Sequence, residues 1–286
     1  MDAQDDTTWL RSILTAPVYD IARRTPLDAA PVLSRRLANN IWLKREDLQP
    51  VFSFKLRGAY NRIRQLDAEA RARGVVAVSA GNHAQGVAFS ARVLGIDAVI
   101  VMPVTTPRIK IAAVEAFGAR IDLYGDSYSE AAAHGEGIAR RERRTLVHPF
   151  DDAAVIAGQG TVAMEMLAQH RGRIDAVFVP VGGGGLCAGM AAYLKALDPA
   201  IRIVAVEPDD AACLDAALKA GRPVPLAHVG LFVDGCAVKQ IGELTFKVLR
   251  DRVDELVTVD VDQVCAAIRD VFEDTRSIVE PAGALA

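Results

Sequence analysis

The chain has 286 residues, of which 51% are hydrophobic and 24% charged, and its formal net charge is -3. This balance is that of a globular protein with about two domains, and it gives no reason to expect a nucleic acid or an anionic membrane as partner. No apolar run is long enough to span a bilayer, and the acidic opening MDAQDD does not resemble a signal sequence. We therefore expect a cytoplasmic protein.

Cysteine and histidine are sparse and widely spaced. The four cysteines, Cys187, Cys213, Cys236 and Cys265, form no C-x-x-C pair, and the five histidines show no H-E-x-x-H spacing. This pattern is typical of reduced thiols rather than of a disulfide framework or a zinc site. We expect no metal site.

The first predicted elements are an N-terminal helix within TTWLRSILTAPVYDIARRTPL and the strand that follows it. From Gly74 onward, short apolar strands alternate with helices of apolar period 3.6. The strands of the first half are GVVAVSA, DAVIVMP, ARIDLYG and TLVHP, and the helices between them are HAQGVAFSARVLG, PRIKIAAVEAFG and SYSEAAAHGEGIARRE.

The alternation repeats after a long helix from about Asp152 to Gln169. The buried strands are DAVFVPVG, IRIVAVEP and ELVTVD; the helices are GGLCAGMAAYLKALDP, ACLDAALKAG, one ending near Arg250, DQVCAAIRDVFEDTR and a last one opening at Pro281 to Ala284. Apolar strands alternating with helices indicate parallel sheets that are covered on both faces. We expect an α/β protein with two three-layer αβα lobes, mostly parallel sheets and a ligand cleft between the lobes.

Four consecutive glycines, Gly182 to Gly185, lie between a strand and a helix in VPVGGGGLCAGM. Glycine lets the backbone approach a ligand closely, and the N–H groups at a helix N-terminus attract anions. The loop therefore predicts a phosphate cradle that needs no basic side chain. A tight turn alone would require only two glycines.

The same loop allows a rival interpretation. Gly183, Gly185 and Ala188 match the dinucleotide fingerprint G-x-G-x-x-A. Glu207 ends the next strand, where a partner of the NAD ribose would lie. On this reading the protein is an NAD-binding oxidoreductase of the Rossmann type.

A second polar loop, SAGNHAQG, joins a strand to a helix in the first half. Ser79, Asn82 and His83 lie at the helix N-terminus, where they are suited to bind a carboxylate or a ring hydroxyl. The alternative is that Asn82 only caps the helix.

Lys55 lies in QPVFSFKLRGAYN, after Phe52 and Phe54, and is one of only seven lysines. A buried lysine is costly unless the protein uses it. A desolvated amine has a lowered pKa and serves as a Schiff-base nucleophile and as a base near neutral pH. The alternative is a solvent-exposed lysine in the first turn of a helix.

These three features together meet the needs of a pyridoxal phosphate enzyme. Such an enzyme requires an amine for the cofactor aldehyde, a cradle for its phosphate and a polar loop for the substrate carboxylate. A dehydrogenase leaves Lys55 unexplained.

Six stretches of the chain resemble the fold-type II pyridoxal phosphate enzymes, whose fold is like that of tryptophan synthase β. They are LKREDLQPVFSFKLRGAYN, SAGNHAQGVAFSA, PFDDAAVIAGQGT, VPVGGGGLCAGM, VAVEPDD and VGLFVDGCAV. Within that group they are most similar to the biosynthetic threonine dehydratases (threonine ammonia-lyases). The opening LRSILTAPVYDIARRTPL favours these over the catabolic relatives. The resemblance implies a large cofactor-binding domain at 1–54 and 148–286, with a small domain at 55–147 inserted in it.

The resemblance also implies a role for each matched residue. Lys55 would bind the cofactor covalently, Phe54 would pack on its ring, and Asn82 would hydrogen-bond its ring hydroxyl. Glu280 would lie near the ring edge. Two loops would bind the charged groups: Gly182, Gly183, Gly184, Gly185 and Leu186 the phosphate, and Ser79, Ala80, Gly81, Asn82 and His83 the substrate carboxylate.

The implied activity is the conversion of L-threonine to 2-oxobutanoate and ammonia, the first step toward isoleucine, in a homo-oligomer (a dimer or tetramer). Lys55 would take the α-proton, and the cofactor phosphate or a water held by it would protonate the leaving hydroxyl. L-Serine, one methyl smaller, should also react. The alternatives are a serine dehydratase or racemase, a β-replacing synthase, and a non-catalytic ligand-binding remnant.

Two positions depart from the related serine racemases. Those enzymes have a second catalytic serine where this chain has Ala80, so the resemblance favours elimination over racemisation. They also bind a divalent cation after the VEP stretch, where Cys213 here replaces an aspartate. Glu207, Asp209 and Asp210 remain nearby, but we expect no such ion.

In the family, a serine that meets the pyridine nitrogen follows the last residues seen here, VEPAGALA. Biosynthetic members continue into a regulatory domain that senses isoleucine. We therefore expect a truncated chain with an incomplete, wet cofactor site, weak activity and no inhibition by isoleucine.

Overall fold

The structure is a computed structural model that describes residues 5–286, so the first four residues of the predicted 1–54 segment lie outside the described residues. Within this range nine strands form three sheets. The strands are β1 (Leu27–Ala29), β2 (Trp42–Lys44), β3 (Val75–Val78), β4 (Ala98–Met102), β5 (Arg120–Leu123), β6 (Thr145–Leu146), β7 (Ala176–Pro180), β8 (Arg202–Pro208) and β9 (Glu255–Val259).

Thirteen α-helices lie in the same described range. They are α1 (Asp6–Leu14), α2 (Pro31–Leu37), α3 (Lys55–Arg64), α4 (Ala68–Arg73), α5 (Asn82–Leu94), α6 (Arg108–Glu115), α7 (Tyr128–Glu142), α8 (Ala153–Gln169), α9 (Gly185–Leu197), α10 (Cys213–Ala220), α11 (Glu243–Leu249), α12 (Val261–Thr275) and α13 (Pro281–Ala284). Within these residues no helix is both long and apolar enough to cross a membrane.

Two parallel sheets organise the chain, which confirms the predicted α/β class. Their strand orders are β5-β4-β3-β6 and β7-β8-β9, and every neighbouring pair in both sheets is parallel. The antiparallel pair of β1 and β2 forms a separate small sheet.

The first sheet is covered on both faces. Val75 and Ala77 of β3 pack into a core shared with α3 and α5, whereas Val76 and Val78 pack against α7. The alternation follows from the strand period of two. It produces the three layers that the apolar strands predicted.

The second sheet corrects one expectation. DAVFVPVG was expected to form a buried strand, yet Phe178 in the middle of β7 is 54% exposed. β7 lies at one end of the strand order β7-β8-β9, so a residue that faces away from the core is open to solvent.

Glycines bring α3 close to α8 and so fix the start of α3 relative to the second half of the chain. A Cβ on Gly58 would lie 2.7 Å from the Val155 carbonyl oxygen, and one on Gly158 would lie 2.6 Å from the Arg57 carbonyl oxygen. Only glycine permits such an approach of two backbones. Because Lys55 is the first residue of α3, this contact fixes the position of its backbone.

Candidate active site

Lys55 is partly buried within the protein rather than exposed in a first helical turn. Its Nζ donates a 3.2 Å hydrogen bond to the Pro149 carbonyl oxygen and lies 5.4 Å from the centre of the Phe54 ring. Burial lowers the pKa of the amine to about 8, although Cys236 and Glu280 act in the opposite direction. The alternative of a solvent-exposed lysine is therefore wrong.

The glycine loop presents a row of free N–H groups at the start of α9. Gly184 is the N-cap residue, with φ of 89°, and no side chain caps the helix. Within residues 5–286, the N–H groups of 182–186 donate no hydrogen bond, although Gly183, Gly184 and Gly185 are buried. Buried backbone N–H groups are nearly always paired. Free donors at the N-terminus of a 13-residue helix fit a bound anion such as phosphate.

Close packing is a second reason why glycine is needed at these positions. A Cβ on Gly183 would lie 2.1 Å from the Phe150 ring, and one on Gly182 would lie 2.9 Å from the Cα of Cys236. The sequence predicts a ligand as the reason for the four glycines, and these packing contacts are a further reason. Phe150 and Cys236 are distant in the sequence, so no local pattern could indicate these contacts.

Asn82 lies in the first turn of α5 but does not cap the helix. The N-cap residue is Gly81, and it has no side-chain cap. The Nδ2 of Asn82 instead donates a 2.6 Å hydrogen bond to Oε1 of Glu280. Burial raises the pKa of the Glu280 carboxyl, and the Asn82 hydrogen bond acts against this shift. The interpretation of Asn82 as a simple cap is therefore wrong.

His83 is buried beside the same loop and is held by its ring. Its Nε2 lies 2.8 Å from the Val147 carbonyl oxygen, and because a carbonyl only accepts, Nε2 carries the ring proton. Burial lowers the pKa of His83 to about 3, and the charge of Lys55 lowers it further. The ring is therefore neutral. Elsewhere in this loop the hydroxyl oxygen of Ser79 accepts a hydrogen bond from the N–H of Gly81, at 3.2 Å.

The short segment 147–150, which we call the crossover segment, brings the predicted groups together. Its Val147 carbonyl binds His83, its Pro149 carbonyl binds Lys55, and its Phe150 ring lies against the glycine loop. The segment was not predicted as part of the site. Its contacts with His83 and Lys55 are made by backbone carbonyls, which leave no signature in the sequence.

The Glu207 carboxylate is bound by the protein backbone and is not free to bind a ligand. It is fully buried and accepts hydrogen bonds from the N–H groups of Leu214, at 2.7 Å, and Asp215, at 2.9 Å. Burial raises its pKa to about 7. Its carboxylate oxygens are thus used by the first turn of α10, so its interpretation as an NAD ribose partner is wrong.

Cys213 also joins this part of the fold to the glycine loop. Its thiol donates to the Gly182 carbonyl oxygen, with Sγ 3.2 Å away. Across the described part of the chain, no group of three or more His, Cys, Asp or Glu side chains is arranged to hold a metal ion.

The fold and this site define the class of the protein. The chain belongs to the family of pyridoxal-phosphate dependent enzymes, whose model matches residues 18–286. Its fold is that of the fold-type II members, and the cofactor of the family is pyridoxal phosphate. The free N–H groups of the glycine loop and the desolvated Lys55 amine fit this cofactor.

Known proteins narrow the class further. The L-threonine dehydratase biosynthetic IlvA of Burkholderia multivorans is 57% identical over 281 residues, which are 97% of this chain and 55% of that protein. The threonine dehydratase biosynthetic, chloroplastic, of Arabidopsis thaliana is 56% identical over 278 residues, 97% of this chain and 47% of that protein. The chain spans about half the length of the curated relatives it matches.

A solved structure shows the same likeness in three dimensions. The processed form of threonine deaminase isoform 2 from Solanum lycopersicum superposes with a TM-score of 0.97 and 46% identity. The match covers 100% of this chain and 83% of that chain.

Proposed function

We propose that this chain binds pyridoxal phosphate and converts L-threonine to 2-oxobutanoate and ammonia. One observation supports the proposal: the crossover segment contacts both the desolvated amine of Lys55 and the glycine loop. The N–H groups of that loop donate no hydrogen bond within residues 5–286. The threonine substrate is supported by the names of the relatives that match 97% of the chain.

The residues that would hold the cofactor follow from their chemistry. Lys55 would attach to its aldehyde carbon, the N–H groups of 182–186 would bind its phosphate, Phe54 would pack on its ring, and Asn82 would bind its ring hydroxyl. When bound, the cofactor withdraws electrons from the substrate α-carbon and so makes its proton acidic.

Lys55 is the base that this chain offers for the α-proton. With a pKa of about 8, a substantial fraction of the amine is neutral near physiological pH. The neutral amine is still basic enough to accept a proton during the reaction. An ordinary lysine, with a pKa of 10.5, is almost fully protonated under the same conditions.

The substrate carboxylate would bind at the N-terminus of α5, in the loop 79–83. Backbone N–H groups and the helix dipole favour an anion there. Within residues 5–286 the Ser79 hydroxyl accepts from Gly81 and keeps its own hydrogen available to donate. The His83 ring cannot donate to the carboxylate, since its one N–H already binds the Val147 carbonyl. Ala80 has no side chain that could act as a second base, which favours elimination over racemisation.

We extend the proposal to the organisation of the molecule. The strands of the first large sheet lie between residues 75 and 146 and those of the second between 176 and 259, which supports a small domain at 55–147 inserted between 1–54 and 148–286. Four free cysteines are in keeping with a reducing, cytoplasmic location. A homo-oligomeric state remains a prediction.

The test is an assay of the cofactor-loaded chain with L-threonine or L-serine as substrate. The 2-oxo acid products and any D-amino acid are measured. We expect 2-oxobutanoate from L-threonine, pyruvate from L-serine at a lower kcat/KM, and no D-amino acid. Lys55→Ala should abolish turnover, whereas Lys219→Ala should not, because Lys219 is an exposed residue paired with Asp215 on the same helix. A loaded chain that releases D-threonine but no 2-oxobutanoate contradicts the proposal.

A further inference from the structure

His83 has one ring nitrogen without a partner. The residue is 3% exposed, its Nε2–H is bound to the Val147 carbonyl, and its buried Nδ1 makes no hydrogen bond within residues 5–286. In a neutral ring protonated at Nε2, Nδ1 is a pure acceptor. A buried acceptor left without a donor is costly, so this atom is expected to be paired at some stage of the function.

The backbone places His83 beside Lys55. Gly86 is three residues after His83, on the same face of α5, and a Cβ on Gly86 would lie 3.0 Å from the carbonyl carbon of Lys55. The two side chains also bind alternate carbonyls of the crossover segment, Val147 for His83 and Pro149 for Lys55. A freed Lys55 amine has three donor hydrogens when protonated, and its charge is felt by the His83 ring. It is therefore a donor in the same site that could pair with Nδ1.

We propose that His83 is a positioning residue for Lys55, with Nδ1 accepting a hydrogen bond from the Lys55 ammonium. The inference rests on the proposed function, because this ammonium is the species formed when Lys55 takes the α-proton of the substrate. The bond holds the protonated amine in place while the Val147 carbonyl keeps the ring in the tautomer that accepts. The charge of Lys55 also lowers the pKa of His83, so the ring stays neutral.

Two substitutions separate the two ring nitrogens. His83→Gln retains a donor near the position of Nε2 and removes the acceptor at Nδ1. His83→Asn retains an acceptor near the position of Nδ1 and removes the donor to Val147. The other titratable groups that face Lys55 or His83, namely His148, Cys236 and Glu280, are unchanged in both variants.

The first readout is the pKa of Lys55 in the cofactor-free chain, from the pH dependence of its acylation by acetic anhydride followed by peptide mass spectrometry. Since an acceptor favours the charged amine, His83→Gln should lower this pKa by about one unit, a tenfold loss of proton affinity. His83→Asn should leave the Lys55 pKa nearly unchanged but lower the unfolding midpoint, because the Val147 carbonyl loses its donor.

The second readout is turnover of the loaded enzyme, where His83→Gln should lower kcat by roughly tenfold at an unchanged KM. An unchanged Lys55 pKa in His83→Gln overturns the proposal, as do losses in both variants that follow their unfolding midpoints. A rise in KM for threonine alone also overturns it, since Nδ1 would then accept from the substrate. The acylation result needs no turnover, so it stands apart from a failure of the proposed function.

Discussion

The side-chain amide of Asn82 donates a 2.6 Å hydrogen bond to the Glu280 carboxylate, across 198 residues of sequence. It links the first turn of α5, in the first half of the chain, to the N-cap residue of α13, near the end of the chain. Because one amide hydrogen is directed at Glu280, the orientation of the Asn82 amide is fixed. Glu280 therefore determines which atoms of Asn82 would remain for the cofactor ring hydroxyl under the proposed function.

Removing either partner of this bond should weaken both the fold and the cofactor site. Asn82→Ala removes the donor to the Glu280 carboxylate, at a cost of about 0.5–1.5 kcal/mol in the free energy of unfolding. A double-mutant cycle with Glu280→Ala, measured by urea unfolding of the cofactor-free chain, should show a coupling of about 0.5–3 kcal/mol. Glu280→Gln retains an acceptor and is the matched control. Strictly additive effects of the two alanine variants are inconsistent with the bond.

Gly183→Ala should destabilise the fold through packing even when no cofactor is present. Its Cβ would lie 2.1 Å from the Phe150 ring, and overpacking of this kind costs about 1–3 kcal/mol. The control is Gly137→Ala in α7, where the nearest atom, at 3.0 Å, is the end of the Arg141 side chain; it should be neutral or stabilising. Urea unfolding of both variants provides the comparison, and a Gly183→Ala chain as stable as the unsubstituted one contradicts the packing role.

The attachment of pyridoxal phosphate to the cofactor-free chain should depend on pH through Lys55. Only the neutral amine attacks an aldehyde, so the attachment rate should rise up to about pH 8 and then level off, following the pKa of about 8. Stopped-flow absorbance of the cofactor measures this rate. A rate that still climbs tenfold per pH unit above pH 9 would show an unperturbed lysine.

The lowered pKa of Lys55 also contributes to stability with a definite sign. The unfolded chain keeps this proton up to a pKa of 10.5, whereas the folded chain releases it at a pKa of about 8. Between these values the unfolded state binds more protons, so the Lys55 contribution to stability increases as the pH rises. The matched comparison is Lys55→Met, in which this part of the pH dependence should disappear.

Glu207 should matter for stability and not for metal binding. Its carboxylate accepts from two N–H groups of α10. Glu207→Ala leaves both donors unpaired, at about 1–3 kcal/mol for the buried Leu214 N–H. Added Mg²⁺ or a chelator should leave the unfolding midpoint unchanged, since both oxygens of the carboxylate are already used. A midpoint raised by Mg²⁺ and restored by the chelator would instead favour a cation at this residue. Glu69→Ala, at an exposed helix position, is the control for a loss of charge.

The sequence predicted the parts of this molecule that depend on local pattern. The apolar strands of the first half, the glycine loop before α9 and the short helix at Pro281–Ala284 are each set by neighbouring residues, and each is present in the structure. The exposed Phe178 was missed because an edge strand and a central strand have the same local composition.

The contacts that complete the site do not depend on local sequence pattern. The Asn82–Glu280 bond and the meeting of Phe150 with Gly183 join residues far apart in the chain, and the crossover segment binds Lys55 and His83 through carbonyls that every residue possesses. A local pattern of side chains indicates neither the long-range contacts nor the contacts made by backbone carbonyls. The resemblance to known enzymes placed Asn82 and Glu280 in one site, but their pairing was visible only in the structure.

The most direct test of the assigned cofactor site is to identify where pyridoxal phosphate attaches. The chain is incubated with pyridoxal phosphate, reduced with borohydride, digested and analysed by peptide mass spectrometry, alongside Lys55→Ala and a parallel incubation with pyridoxal, which lacks the phosphate. We predict a single modified residue, Lys55, with modification lost in Lys55→Ala and much weaker with pyridoxal, because the free N–H groups of the glycine loop then have no anion to bind. Modification spread over several lysines, or equal labelling by pyridoxal, would contradict the assignment of Lys55 and the glycine loop to one cofactor site.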